Sequence, residues 1–362
     1  MTLPKPRPGI LDISPYVGGD SGAPGFERPI VLSSNESPLG PSPAAIAAIR
    51  GYATATNRYP DGDSHDLREA IGGTFGLDPA RIVCGSGSDE LIALLVRIFA
   101  GPGDEVLYSQ YGFLMYRISA LAAGATPVAA PESGYCADVE AILACVSANT
   151  RILFLANPNN PTGTYLTADE LRTLRARLRD GVVLVVDAAY AEYLGRDDYS
   201  PGIDLVDAND NVVMTRTFSK IYGLAGLRLG WAYGPPAVVD LLNRVRGPFN
   251  VSAPAQVAGV AALSDGAFYQ AARAHNDEWQ PWLAREFLNL GLDVVPGVAN
   301  FVLARFDDPG HGADAARAFL KEREILVRGM NGYGLPDCLR ITIGLAADNR
   351  AVAAALAEFL GR

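Results

Sequence analysis

The chain has 362 residues, 49% of them hydrophobic and 19% charged, which is enough for a large packed domain plus a smaller one. A formal net charge of −10 argues against nucleic acid as a main partner, because phosphate backbones are met by basic faces. Four scattered cysteines and three scattered histidines give neither a disulfide framework nor a metal site, and no apolar run approaches the roughly 18 residues of a membrane span.

In chain order, residues 1–34 are rich in Pro and Gly and predict an extended arm whose first residues lack the apolar core of a secretory leader. The expected location is therefore the cytoplasm. From about residue 64, short apolar runs alternate with helical stretches. The runs at 81–84, 105–108, 126–129, 151–155, 182–187, 212–215 and 229–233 mostly lack polar alternation, as buried parallel strands do. Helices are expected at 88–100, 113–123 and 168–179. This alternation predicts an α/β fold with helices on both faces of a mostly parallel sheet. Beyond 255 the chain becomes Ala-rich and helical, then offers strands at 299–305 and 338–343 and a last helix at 349–360. The expected division is an arm at 1–34 joined to a small α+β domain at 255–362, with a large domain at 35–254.

Four clusters fall at the C-terminal ends of predicted strands, the edge at which open α/β sheets bind ligands. Cys84-Gly-Ser-Gly-Ser88-Asp89-Glu90 is a small-residue turn opening an apolar helix. It is either a phosphate site made of free N–H groups or a plain helix cap by Ser88 or Asp89. Asn157-Pro-Asn-Asn160-Pro-Thr-Gly163 is a tight turn whose amides could donate hydrogen bonds or simply shape the loop. Asp187 ends the apolar run 182–186, with Tyr190 three residues on and no Lys or Arg between 180 and 195. A carboxylate there needs a cationic partner from elsewhere in the chain or from a ligand.

The fourth cluster, Thr217-Phe-Ser219-Lys220…Arg228-Leu-Gly230, holds one of only three lysines among 30 basic residues. Arginine stays protonated, whereas a lysine amine can be tuned to attack a carbonyl and form a Schiff base. Lys5 and Lys321 are expected to be solvated surface charges. An amine, a carboxylate for a ring nitrogen, an Asn, a Tyr and a phosphate cup are together the inventory that pyridoxal 5′-phosphate requires. In that reading Lys220 also moves the proton between the substrate Cα and the cofactor.

These motifs resemble the signature of the fold-type I, class II pyridoxal-phosphate aminotransferases, and within them the histidinol-phosphate aminotransferase family. The resemblance extends to Ser14-Pro-Tyr16, Ser34-Asn35-Glu36, Asn57-Arg58-Tyr59-Pro60, Phe249-Asn-Val-Ser252, Leu326-Val-Arg328 and Leu339-Arg340-Ile-Thr342. It implies that Lys220 carries the cofactor, that Asp187 bonds its pyridine nitrogen, and that Asn160 and Tyr190 hold its phenolic oxygen. Gly87, Ser88, Asp89, Ser219 and Arg228 would hold its phosphate, and Phe113 would stack on its ring, although an aromatic at a helix start also suits a core.

The resemblance further implies a homodimer in which Tyr59 reaches the neighbouring subunit's cofactor. Arg340 would pair with the amino-acid carboxylate, and Tyr16, Asn35 and Arg328 would line the substrate pocket, Arg328 facing a substrate phosphate. The implied reaction is transamination between L-histidinol phosphate and 2-oxoglutarate, in histidine biosynthesis. Aromatic amino-acid transamination and decarboxylation of a phosphorylated amino acid are the alternatives. Two departures stand out: Asp187-Ala-Ala-Tyr190 where relatives carry Asp-Glu-Ala-Tyr, and Gln110-Tyr-Gly112 where they often carry Pro-Pro-Thr.

Overall fold

A computed structural model describes residues 5–22, 25–308 and 310–362. Its first half runs β1 (Ile30–Leu32), α1 (Pro43–Tyr52), α2 (His65–Phe75), β2 (Ile82–Gly85), α3 (Ser88–Phe99), β3 (Glu105–Ser109), α4 (Leu114–Ala123) and β4 (Thr126–Ala130). A small hairpin, β5 (Glu132–Ser133) and β6 (Cys136–Ala137), leads to α5 (Val139–Ala144), β7 (Thr150–Ala156), α6 (Ala168–Arg177) and β8 (Val183–Asp187). Next come α7 (Ile203–Ala208), β9 (Val212–Thr217), β10 (Gly230–Tyr233), α8 (Pro236–Val245), α9 (Ala253–Ser264) and the long α10 (Gly266–Asn289). The chain closes with β11 (Asp293–Val295), β12 (Phe301–Arg305), α11 (Ala313–Glu322), β13 (Ile325–Met330), β14 (Leu335–Thr342) and α12 (Ala346–Phe359).

Seven strands form the main sheet in the order β2–β10–β9–β8–β7–β3–β4. All are parallel except β10, which runs against both β2 and β9. The unbroken apolar runs have a direct cause. Along β7, Leu153 and Leu155 enter the hydrophobic cluster on one face, while Ile152 and Phe154 enter the cluster on the other. In β8, Leu184 and Val186 split from Val183 and Val185 in the same way. A sheet covered on both faces favours apolar side chains along most of each strand.

The second sheet has the order β1–β13–β14–β12–β11 and packs its core against α10, α11 and α12. Its edge strand comes from the Pro/Gly-rich N-terminal region: Ile30–Leu32 pair in parallel with Ile325–Val327. Helix α9 lies against α1 and α2 and contributes Ala255, Ala258 and Ala262 to the core of the main sheet. Among the described residues no helix is long and apolar enough to cross a membrane.

Candidate active site

The C-terminal ends of β2, β3, β7, β8 and β9 open onto a cavity of about 280 Å³. Because β10 is antiparallel, the chain enters it at this same edge, and that brings Arg228 to the others. The second sheet closes the far wall with Ser33–Glu36 after β1, Arg328 on β13 and Arg340 on β14. Of the residues expected from sequence, Tyr16, Asn35, Ser88, Asp89, Phe113, Asn160, Asp187, Tyr190, Ser219, Lys220, Arg228, Arg328 and Arg340 line this cavity. Gly87 caps the helix beside it. Tyr59 stands apart: it is 81% exposed and stacks on Phe249 with ring centroids 4.6 Å apart.

Lys220 follows β9, and its Nζ donates to the carbonyl of Ser34 at 3.2 Å and lies 5.7 Å from the centre of the Tyr190 ring. Burial, reinforced by the nearby Arg340 guanidinium, lowers its pKa to about 8. A usable fraction of this amine is therefore neutral near physiological pH, the condition for nucleophilic or basic work.

Asp187 is 4% exposed and ends β8. Tyr116 Oη donates to its Oδ2 at 2.7 Å and Thr215 Oγ1 to its Oδ1 at 3.3 Å. No Lys, Arg or His pairs with it among the described residues, and burial pushes its pKa up to about 6. A carboxylate held by two hydroxyls in an apolar wall, with its charge unmatched, suits a cationic N–H from a ligand. Tyr116 was not visible as a site residue in the sequence. It lies one turn into an apolar helix, stacks on Phe154 and looks there like core.

At the other end, α3 begins at Gly87 (φ 79°), and no side chain caps it. Neither Ser88 nor Asp89 closes the helix with its side chain. Arg228, itself left-handed (φ 53°), donates to Asp89 Oδ2 at 2.9 Å, with Ser219 Oγ 3.5 Å from its Nη1. Thr217 Oγ1 in turn holds both Ser219 Oγ and its backbone N–H, at 3.0 and 3.1 Å. N–H groups at a helix N-terminus, a hydroxyl and a guanidinium make an anion cup. Gly230 allows the approach, since a Cβ there would stand 2.4 Å from Ser88 N. Gly230→Ala is expected to push α3 out of place at a cost of about 1–3 kcal/mol, read as a lower melting temperature.

Between the two ends, Asn35 Nδ2 donates to Tyr190 Oη at 2.9 Å, while Asn35 is itself fixed by Thr342 Oγ1. Burial raises the Tyr190 hydroxyl to about 12, so it remains a neutral donor. Arg340 is buried, bonds the Asn160 side-chain oxygen through Nη1 and the Ser33 carbonyl through Nη2 at 2.8 Å, and leaves its buried Nε unpaired. Phe113 faces the cavity and meets Tyr116 edge-on at 6.0 Å. The loop before it, Gln110-Tyr-Gly112, is stapled to β5: Tyr111 N donates to Glu132 Oε1 at 3.1 Å, and Gln110 Oε1 accepts from Glu132 N at 3.3 Å. Ala188, which stands where the related Asp-Glu-Ala-Tyr motif has its Glu, is fully buried against apolar neighbours.

An amine, a buried unmatched carboxylate, hydroxyls and guanidinium groups thus line one cavity. Residues 27–356 match the family Aminotransferase class I and II. The chain belongs to this aminotransferase family. It is 60% identical over 362 residues to the histidinol-phosphate aminotransferase of Paramagnetospirillum magneticum, covering 100% of each chain. To that of Rhodospirillum centenum it is 59% identical over 360 residues, 99% of each. The crystal structure of histidinol-phosphate aminotransferase from Sinorhizobium meliloti, a complex with pyridoxal 5′-phosphate, superimposes with a TM-score of 0.86. It is 31% identical, with 92% of this chain and 91% of that one covered. The α/β architecture is thus that of the fold-type I aminotransferases, and the chain is an enzyme of that class.

Proposed function

We propose that this aminotransferase uses pyridoxal 5′-phosphate to move the amino group of L-histidinol phosphate to 2-oxoglutarate. The observation that carries the reading is the pairing, across one cavity, of an amine lowered to about 8 with a buried carboxylate that has no cation of its own. The residues present fit the cofactor. Asp187 would face the ring nitrogen, and Asn160 and Tyr190 the phenolic oxygen. Phe113 would cover the ring, while Gly87, Ser88, Asp89, Ser219 and Arg228 would take the phosphate. When bound, this cofactor supplies an electron sink that stabilises negative charge at the substrate Cα.

The protein's part is binding, orientation and proton transfer. Lys220 would hold the cofactor and move the proton at the substrate Cα. Asp187 would hold the ring nitrogen, and Tyr116 keeps Asp187 in place. Arg340 receives the substrate carboxylate, or that of the 2-oxoacid, with its planar donors. Tyr16, Asn35 and Arg328 line the remaining wall, and Arg328 is the cation for a substrate phosphate.

The same reading assigns the protein to the cytoplasm as a homodimer in which Tyr59 of each subunit serves the other's cofactor phosphate. It also divides the chain into a large domain and a small one that includes the N-terminal arm. The boundary is put at 255, just inside α9, whose Ala255, Ala258 and Ala262 pack into the core of the main sheet.

Steady-state kinetics test the substrate. The kcat/KM for L-histidinol phosphate is expected to exceed that for phenylalanine by about 100-fold or more, because only the phosphate gives the half-buried Arg328 a charge-assisted partner. Equal values would move the assignment to aromatic amino acids, and release of CO₂ without any need for a 2-oxoacid would move it to decarboxylation.

A further inference from the structure

Beside the cavity lies a second hollow of about 490 Å³ that shares Tyr16, Gly18 and Arg328 with it. Its walls are the segment from Ser14 to Gly18, the outer face of α4, and α11 with β13. Three guanidinium groups, those of Arg117, Arg317 and Arg328, line it against the single carboxylate of Asp20. That carboxylate is already matched, by Arg317 Nη2 and Lys321 Nζ, each at 3.2 Å. Lys321, expected from the sequence to be a solvated charge, is thus half of a clamp on the N-terminal segment. Arg328 reaches the same segment through the Val17 carbonyl at 2.6 Å. Arg117 is different. It is exposed, pairs with no acid among the described residues, and does not line the inner cavity.

We propose that this hollow is the approach channel for the phosphate of the substrate, with Arg117 as a specificity-determining residue that draws phosphate esters towards Arg328. The proposal rests on the reading of the amino donor as a phosphate ester. On a protein of net charge −10 a phosphate dianion is repelled by the surface at large. A basic hollow that shares Arg328 with the site reverses that field locally and raises the ester's concentration there. An uncharged aromatic side chain gains nothing from it. The field of Arg117 falls off over a Debye length of about 10 Å at 0.1 M salt, so its contribution has a salt signature that a contact inside the cavity lacks.

The test is kinetic, on the cofactor-loaded enzyme, with L-histidinol phosphate and phenylalanine as paired donors. At low salt Arg117→Gln should lower kcat/KM for the ester about 5–10-fold through KM, leaving kcat and the phenylalanine value within about twofold. Arg117→Glu should lower it further, and Arg117→Lys should keep most of it, because steering needs a charge and not a fork. The wild-type advantage over Arg117→Gln should close at about 0.5 M salt. Equal losses with both donors, no loss with either, or a loss that salt leaves untouched would overturn the channel. If the wild-type enzyme itself shows no preference for the ester, the reading of the donor fails first. If that preference is present and survives in Arg117→Glu, only the channel fails.

Discussion

Lys220→Arg is expected to abolish transamination, with kcat falling by about four orders of magnitude or more while the protein still folds. The positive charge survives this change; what disappears is the ability to lose a proton. At about 8, the Lys220 amine is neutral in a substantial fraction of molecules at pH 7.5, whereas a guanidinium stays protonated. The covalent link to the cofactor and the proton transfer at the substrate Cα then fail together. A guanidinium so near Arg340 and Arg228 also brings like charges together, so Lys220→Ala serves as a second variant free of that repulsion. Both should melt cooperatively, and reduction with borohydride should fix the cofactor on the peptide containing residue 220 only in the wild type. Activity within about 100-fold of wild type in either variant would remove Lys220 from the centre of the mechanism.

Asp187→Asn should move activity and stability in opposite directions. Activity is expected to fall about 100- to 1,000-fold, the usual cost of removing one preorganised electrostatic partner. Cofactor-free protein, by contrast, should gain stability above pH 6. In the unfolded chain this aspartate titrates near 3.8, and in the fold burial raises it to about 6. Between those values the folded state binds more protons than the unfolded one, so stability falls as pH rises and stays lost above about 6. The rise from 3.8 to about 6 corresponds to roughly 3 kcal/mol of lost stability. Asparagine carries no such penalty. The melting-temperature advantage of the variant should therefore grow from pH 5 to pH 7 and then level off. Adding the cofactor should stabilise the wild type more than the variant, because a cationic ring nitrogen offsets the buried charge. If the cofactor-free wild type proves as stable as the variant at pH 7.5, the carboxylate has a counter-charge and its proposed role collapses.

Legibility in the sequence followed the range of the forces involved. Strands such as 183–187 were readable because both of their faces are buried, which writes an unbroken apolar run. The reversal of β10 was not, since the same run serves either direction. Lys220 stood out as one of three lysines among 30 basic residues, and Asp187 as a carboxylate ending an apolar run. Tyr116, Thr217 and Thr342 did not, because what they do is set by partners that only the fold brings together: Tyr116 meets Asp187 71 positions away, and Thr342 meets Asn35 across 307. Ser88 and Asp89 read as plausible caps in the sequence, and the structure shows that neither side chain caps α3.

The pairing of Ile30–Leu32 with Ile325–Val327 carries a consequence for how the enzyme is made. A ribosome that has produced the Lys220 loop has not yet produced Arg340 and Thr342, which hold Ser33 and Asn35. Bringing partners so far apart together costs chain entropy that only the finished core repays. The main sheet can be complete in a nascent chain while the reactive amine still faces open solvent. Catalytic competence is thus withheld until the last strand is released.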